Sequence, residues 1–324
     1  MTLRAYVIRR LLVIIPTFFF ISMIIFTLIH LAPGDPVMAM IGRHTPSREV
    51  MQLLREELGL DQPIPIQYVL WVSKLLRGDL GFSYISGRSV WSMLQEKIWY
   101  TVELMFLAEI ISVAIAVVLG VIAAVKHHSL IDGATSLVAL IGYSAPSFWL
   151  ALIAMLVFAL WLKWLPTFGT ISPGVTFASP LNALFDHIKH LVLPVSILVI
   201  GWTAYLFRLV RASMLEVLQL DYIVTARAKG VRERVVIFKH ALRNALLPVV
   251  TYLGFSVGFL LSGAAVIEYI FSWPGLGDFM VQVASIRDYT AIMGLTIIIA
   301  IMVLLANLAA DIAYALVDPR VGYD

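Results

Sequence analysis

The chain has 324 residues, of which 61% are hydrophobic and only 13% charged, with a formal net charge of +3. A soluble domain carries about 25% charged residues, so this composition excludes an ordinary soluble enzyme. It contains no cysteine, which rules out disulfides, cysteine nucleophiles and thiolate metal sites. Several apolar runs reach the length of about 20 residues that crosses a hydrocarbon core. No short alternating segments of a membrane barrel occur. The expected fold is all-α: a polytopic helical membrane protein with six transmembrane helices.

The first apolar run, 11–31, follows Arg4, Arg9 and Arg10. It is longer than the 7–15 residues of a signal h-region and no small-residue cleavage site follows. It reads as a retained first span, so residues 1–31 form a cytoplasmic tail and that span. Residues 32–97 are polar and mixed, with balanced charges, and read as an external subdomain. Within it, Thr45-Pro46 and Gly59 bracket a predicted helix over 46–58. A second helix is predicted over 65–76, stopped at Gly78.

Residues 98–324 form the expected core. The second span runs from about 99 to 125, with Ser112, Ala116, Gly120 and Ala124 on one face. Small residues at that spacing let helix backbones approach closely in lipid. Lys126-His127-His128 makes a short positive loop. The third run, 134–165, is too long for one straight crossing, and Pro146 should kink it. An outer loop is expected over 166–190 and a fourth span over 191–210, kinked near Pro194. After the polar segment 211–244 comes a fifth span, 246–267, with Gly254 and Gly258 as a GxxxG pair extended by Ser262. Residues 268–289 read as external, and a sixth span covers 290–317.

Basic residues gather in the segments this topology places inside, from Arg9 and Arg10 through Lys126 and Arg211 to Arg243 and Arg320. The shorter outer loops and their rims hold only Lys163, Lys189 and Arg287. Both termini are therefore expected in the cytoplasm.

No phosphate loop, HExxH or GxSxG motif is present. His187 and His190, three apart, have only Asp186 near them and read as loop residues rather than metal ligands; His127 and His128 read as part of the inner positive loop. Intramembrane carboxylates are costly and face a cavity or a partner helix. Glu103 lies near the outer rim. Glu109 lies deeper and is the better pathway candidate. Asn307 and Asp311 share a face and suit an interhelical hydrogen-bond site. Glu268, Trp273 and the turn 274–277 are candidates for an outer gate.

The most informative stretch is 221–230. Asp221 can cap a helix beginning near Tyr222 and its charge suits the helix dipole. Thr225, Ala226 and Ala228 keep that helix slim, and Gly230 ends it. Arg227 and Lys229 project charge. Such a helix suits a groove on another protein, whereas attraction to anionic lipid needs charge but no run of small residues ending in glycine.

Residues 221–230, followed by His240-Ala241-Leu242-Arg243-Asn244-Ala245-Leu246-Leu247-Pro248, resemble the EAA loop of ABC importer membrane subunits. In detail the chain resembles the dipeptide and oligopeptide permease family, the first of its two membrane subunits. Pro33-Gly34-Asp35-Pro36, Leu58-Gly59-Leu60-Asp61, Gly78-Asp79-Leu80-Gly81, Phe271-Ser272-Trp273-Pro274-Gly275-Leu276-Gly277 and Asp318-Pro319-Arg320 extend the likeness along nearly the whole chain. Val224 and Thr225 stand where the loop's name puts Glu and Ala, and the gap from Gly230 to Pro248 is longer than in sugar-type importers; both departures are usual in the peptide branch.

The resemblance implies a permease without catalytic residues, bound metal or bound cofactor of its own. It implies a second homologous permease subunit, two cytoplasmic ATPases that use ATP and Mg, and an external solute-binding protein. Residues 222–230 would be the coupling helix. The same machinery in relatives handles oligosaccharides, glutathione or nickel chelates, so the solute stays open. The rival classes are an ion-coupled secondary transporter using Glu109 and Asp311, which leaves the basic inner loop unexplained, and an intramembrane enzyme, which lacks an assembled nucleophile.

Overall fold

The computed structural model describes residues 3–31, 49, 52–53, 55–56, 59–260 and 264–317. The helix expected over 46–58 lies largely outside these residues, as do Ser262 and the motifs 33–36 and 318–320. Among the described residues the regular structure is helical apart from one small hairpin, in which Phe82–Ser83 pairs antiparallel with Arg88–Ser89.

Among the described residues, four helices are long and apolar enough to cross a membrane: Ile8–Leu31, Val90–Val125, Pro180–Val217 and Tyr289–Ile312. One further pair of helices is long and apolar enough only when its two limbs are taken together. Leu130–Ser144 and Ser147–Trp161 meet at a bend of 98°. The bend sits where Pro146 was expected to disturb the run. Ala145 is extended (φ −73°, ψ 129°), the conformation that a following proline favours. The second limb is α-helical over Ser147–Ala154 and winds more widely, as a π-helix, over Met155–Trp161. The expected fifth span corresponds to the Leu247–Leu260 and Ala265–Ile270 helices, with residues between them outside the description.

The Pro180–Val217 helix starts well before the expected fourth span, so much of the expected outer loop is helical. Ser179 caps it by accepting the Asn182 N–H (3.3 Å), with Pro180 at the first position, where its missing donor costs nothing. Pro194 stands inside this helix without ending it. The helix expected over 65–76 is found at Ile64–Leu75.

The chain divides into two compact units. The first comprises residues 1–101, 257–265 and 274–324. Its core joins Ile25, Leu80, Val90, Leu94, Leu276 and Leu295. Asp288 organises one end: its carboxylate accepts the Ala291 N–H (3.1 Å) at the start of the Tyr289–Val317 helix and also the Ser83 hydroxyl from the hairpin. Within this unit Leu3–Leu31 packs along Tyr289–Val317, and Arg10 Nε lies 3.2 Å from Asp311 Oδ2.

The second unit comprises residues 102–256 and 266–273. Its core is a continuous apolar cluster including Ala116, Phe207, Val210, Met214, Ile223 and Val236. The small face of the Val90–Val125 helix is turned inward: Ser112 and Ala116 are fully buried, and Ala124 is 3% exposed. A Cβ on Gly120 would lie 2.7 Å from Val210 Cγ1 and 3.2 Å from Arg211 N. Glycine at that position is what allows the Val90–Val125 and Pro180–Val217 backbones to come so close.

Candidate functional site

The Asp221–Ala228 helix is joined to the Pro180–Val217 helix by a tight turn, in which Leu218 N donates to Met214 O and Leu220 N to Val217 O. Asp221 is not the cap expected of it. Leu220 occupies that position without a side-chain hydrogen bond, and Asp221 is the first helical residue. Its charge still faces the positive end of the helix dipole. Thr225 turns its hydroxyl onto Asp221 O (2.8 Å).

The helix stops at Gly230. Gly230 N donates to Arg227 O (2.9 Å) and Val231 N to Ala226 O (3.3 Å). This paired closure needs a left-handed residue after the cap, and Gly230 has φ +76°. A Cβ there would meet no atom of this chain within 4 Å. One face of the helix is anchored, since Ile223 is fully buried and Ala226 packs on the same apolar cluster. Tyr222, Val224, Thr225, Arg227, Ala228, Lys229 and Gly230 are exposed.

The charge of this element is more local than the sequence suggests. Arg227 is tied to Glu233, with Nη2 2.7 Å from Oε1 and Nε 3.2 Å from Oε2. The guanidinium holds the Glu233 carboxyl below its ordinary range, and the carboxylate raises Arg227 in turn. Tyr222 Oη accepts from Asn244 Nδ2 (2.7 Å). That bond fastens the short helix to the following helical run: Glu233–Val235, a π-helical segment Val236–Ala241, and Leu242–Ala245. The 221–245 region is thus a fixed body.

At another part of the second unit, His187 Nδ1 lies 2.9 Å from Thr170 O, and its Nε2 lies 2.8 Å from Glu103 Oε1. A nitrogen facing a carbonyl must carry the proton, so Nδ1 is the N–H, and Nε2 faces the Glu103 carboxyl. Asp186 accepts both the N–H and the hydroxyl of Ser172 at 2.7 Å. Gly169 N donates to Phe271 O (2.9 Å). These bonds pin the loop between Trp161 and Pro180. Trp273 is fully buried, its ring 5.5 Å from that of His187, and its backbone N–H donates to the Glu268 carbonyl (2.7 Å). Glu268 is also fully buried.

Glu109 is 5% exposed and accepts the Ser256 hydroxyl (3.0 Å) from the Leu247–Leu260 helix. In the first unit, a Cβ on Gly258 would sit 3.2 Å from Asn307 Oδ1, so this glycine marks a close approach to the Tyr289–Val317 helix. Asn307 and Asp311 do not act together: Asp311 pairs with Arg10, and Asn307 Oδ1 is buried without a hydrogen-bond partner. Gly254 is half-buried. Among the described residues no group of three His, Asp or Glu is arranged to hold a metal.

One buried cluster escaped the sequence reading. Asp132 binds Arg211 through both carboxylate oxygens, at 2.6 and 2.8 Å, and also accepts His128 N (3.1 Å). The signal available was Ser129-Leu130-Ile131-Asp132, a capping-box pattern. Ser129 does cap the Leu130–Ser144 helix. The pattern does not say that Asp132 reaches Arg211.

These features define a polytopic helical membrane protein that carries a short, anchored and exposed helix directly after one of its long helices. Its sequence places it more closely. Residues 116–323 match the family described as binding-protein-dependent transport system inner membrane component, and residues 3–105 match the N-terminal region of such membrane components. The chain belongs to this family. It is 41% identical over 318 residues to a putative peptide permease protein of Brucella suis biovar 1, covering 98% of each chain. It is 40% identical over 320 residues to the oligopeptide transport system permease protein AppB of Bacillus subtilis, covering 98% of this chain and 99% of the relative. The dipeptide transport system permease protein DppB of Escherichia coli K12 is 40% identical over 334 residues, with 98% of each chain covered. In fold it is similar to the MetNI methionine ABC transporter in an inward-facing conformation, with a TM-score of 0.52 at 19% identity, over 70% of this chain and 96% of that one.

Proposed function

We propose that this chain is a permease subunit of an ATP-driven importer of peptides. It forms part of the translocation path together with a second, homologous permease subunit. Two ATPases bind and hydrolyse ATP with Mg on the cytoplasmic side, and an external solute-binding protein delivers the peptide. Both termini and the 211–244 segment face the cytoplasm, and the 32–97 segment faces outward. The peptide assignment is supported by the names of full-length relatives at about 40% identity.

The observation that carries the coupling role is the Asp221–Ala228 helix, anchored on one face by Ile223 and closed at Gly230 with open space beside it. It offers a slim, fixed ridge to a groove on an ATPase. Because a Cβ at Gly230 meets no atom of this chain within 4 Å, a large side chain there acts in two ways: through whatever docks from outside, and through strain at the left-handed backbone (φ +76°). Gly230→Trp should abolish uptake by the assembled transporter while membrane insertion is kept. Gly230→Asn, which tolerates the left-handed backbone, separates the backbone effect from the docking effect. Normal uptake by Gly230→Trp would sink the assignment. Binding measurements on the cognate solute-binding protein decide between peptides and other solutes.

A further inference from the structure

Three helices of the second unit converge on Arg211. The missing side chain of Gly120 brings the Val90–Val125 backbone against Val210 and Arg211 N. From the same residue the guanidinium reaches across to the Leu130–Ser144 helix and grips Asp132 with both nitrogens, Nε to Oδ1 at 2.6 Å and Nη2 to Oδ2 at 2.8 Å. The Asp132 side chain is only 6% exposed and that of Arg211 25%. His128 N donates to the same carboxylate (3.1 Å), and His127 Nδ1 lies 3.0 Å from it.

This carboxylate is not needed to cap its helix, since the Ser129 hydroxyl already accepts the Asp132 N–H (3.3 Å). A buried charge pair is seldom the most stabilising choice for a site. What a bidentate fork adds is a fixed register. Apolar helix faces can slide on one another, whereas a forked ion pair cannot slide without leaving a buried charge alone.

Arg211 also stands close to the Asp221–Ala228 helix along the chain. The Pro180–Val217 helix ends roughly 9 Å further on, at about 1.5 Å per residue. The turn that follows is closed by backbone hydrogen bonds, and Ile223 is buried in the same apolar cluster as Met214 and Val217. No slack separates the short helix from Arg211, and none separates Arg211 from Asp132.

We propose that the Asp132–Arg211 pair is the joint that makes the Leu130–Ser144 helix move with the coupling helix. Asp132 and Arg211 are then positioning residues for transport, acting through the helices they lock. This rests on the coupling role given above to the Asp221–Ala228 helix.

The test uses the complete transporter in proteoliposomes, with a labelled peptide that the parent complex imports. The quantity read is peptide imported per ATP hydrolysed. Asp132→Asn keeps assembly and ATP hydrolysis but lowers this ratio about tenfold, within the usual range of coupling between sites. A purely structural role would instead lower assembly, hydrolysis and uptake together. Arg211→Lys, which keeps the charge but loses the fork, falls between parent and Asp132→Asn, and serves alone if Asp132→Asn does not assemble. Because the chain has no cysteine, Asp132→Cys with Arg211→Cys can be joined by a short bifunctional thiol reagent, and cross-linking restores the ratio. A parental ratio in Asp132→Asn or Arg211→Lys, or no recovery on cross-linking, overturns the joint. Gly230→Trp is measured alongside. If it blocks uptake while Asp132→Asn is parental, the joint fails and the coupling helix stands; if both are parental, both fail.

Discussion

Gly120→Ala is the smallest change that probes how the second unit is packed. The added methyl carbon would lie 2.7 Å from Val210 Cγ1, 2.8 Å from Val210 Cβ and 3.2 Å from Arg211 N. Unstrained carbon contacts lie near 3.5–4.0 Å, so the two helices must part by roughly 1 Å. Val210 cannot swing aside. It is fully buried, and a β-branched side chain in a helix has one strongly preferred rotamer. Overpacking of this kind costs about 1–3 kcal/mol. The geometry also says which second change relieves it. Val210→Ala removes the Cγ1 clash but leaves Cβ at 2.8 Å, so rescue is partial. Val210→Gly removes both clashes, but the lost burial of the valine side chain and about 1 kcal/mol for glycine inside a helix count against it. Thermal unfolding of the purified transporter, followed by tryptophan fluorescence, measures each variant. Gly120→Ala should melt several degrees below the parent. A parental melting temperature, or full rescue by Val210→Ala, would refute the close approach of these backbones.

Two further changes address the exposed elements. Ile223→Ala removes the fully buried side chain that anchors the Asp221–Ala228 helix, at a local cost of about 2–5 kcal/mol. Amide hydrogen exchange at Val224 to Ala228 should accelerate relative to the Pro180–Val217 helix, and unchanged protection would count against the anchor. At Asp278 burial pushes the carboxyl above its ordinary range, opposed by Lys97 and by the Gln282 side chain. A raised folded-state value means that the carboxyl's contribution to stability is complete below about pH 3.9 and is lost as pH rises through the folded value. Melting temperature measured from acid to neutral pH should decline in the parent relative to Asp278→Asn, and a pH-independent difference between the two would contradict the burial argument.

Much of this architecture could be read from residue spacing. The small-residue face at Ser112, Ala116, Gly120 and Ala124 is turned inward, because only small side chains let helices meet backbone to backbone in lipid. The break at Pro146 falls where a ring without an N–H interrupts a long apolar run. Gly230 takes the left-handed conformation that ends the short helix. What failed to show depends on partners distant in sequence. Nothing near Asp132 indicates that its carboxylate meets Arg211, or near Glu103 that it meets His187. Helix ends were also hidden wherever polarity changes before the backbone does. Asp186, His187, Lys189 and His190 interrupt the apolar pattern ahead of residue 191, yet Leu181, Leu184 and Phe185 continue the same helix with exposed side chains. Asp221 misled in a simpler way: an aspartate at a helix start serves equally as a cap or as a first-turn charge, and only the backbone angles tell which.

The Asp221–Ala228 helix is also too short to exist alone. Eight residues fall below the roughly 12–15 that an isolated helix needs in water. Here the ordering entropy is already spent in the folding of the membrane subunit, through Ile223, the Tyr222–Asn244 bond and the closure at Gly230. A protein that docked on this ridge, as proposed above, would meet a shape already formed and lose little of its binding free energy to organising it. A free peptide of the same sequence would have to supply that entropy at every encounter, and so should compete poorly for the same groove.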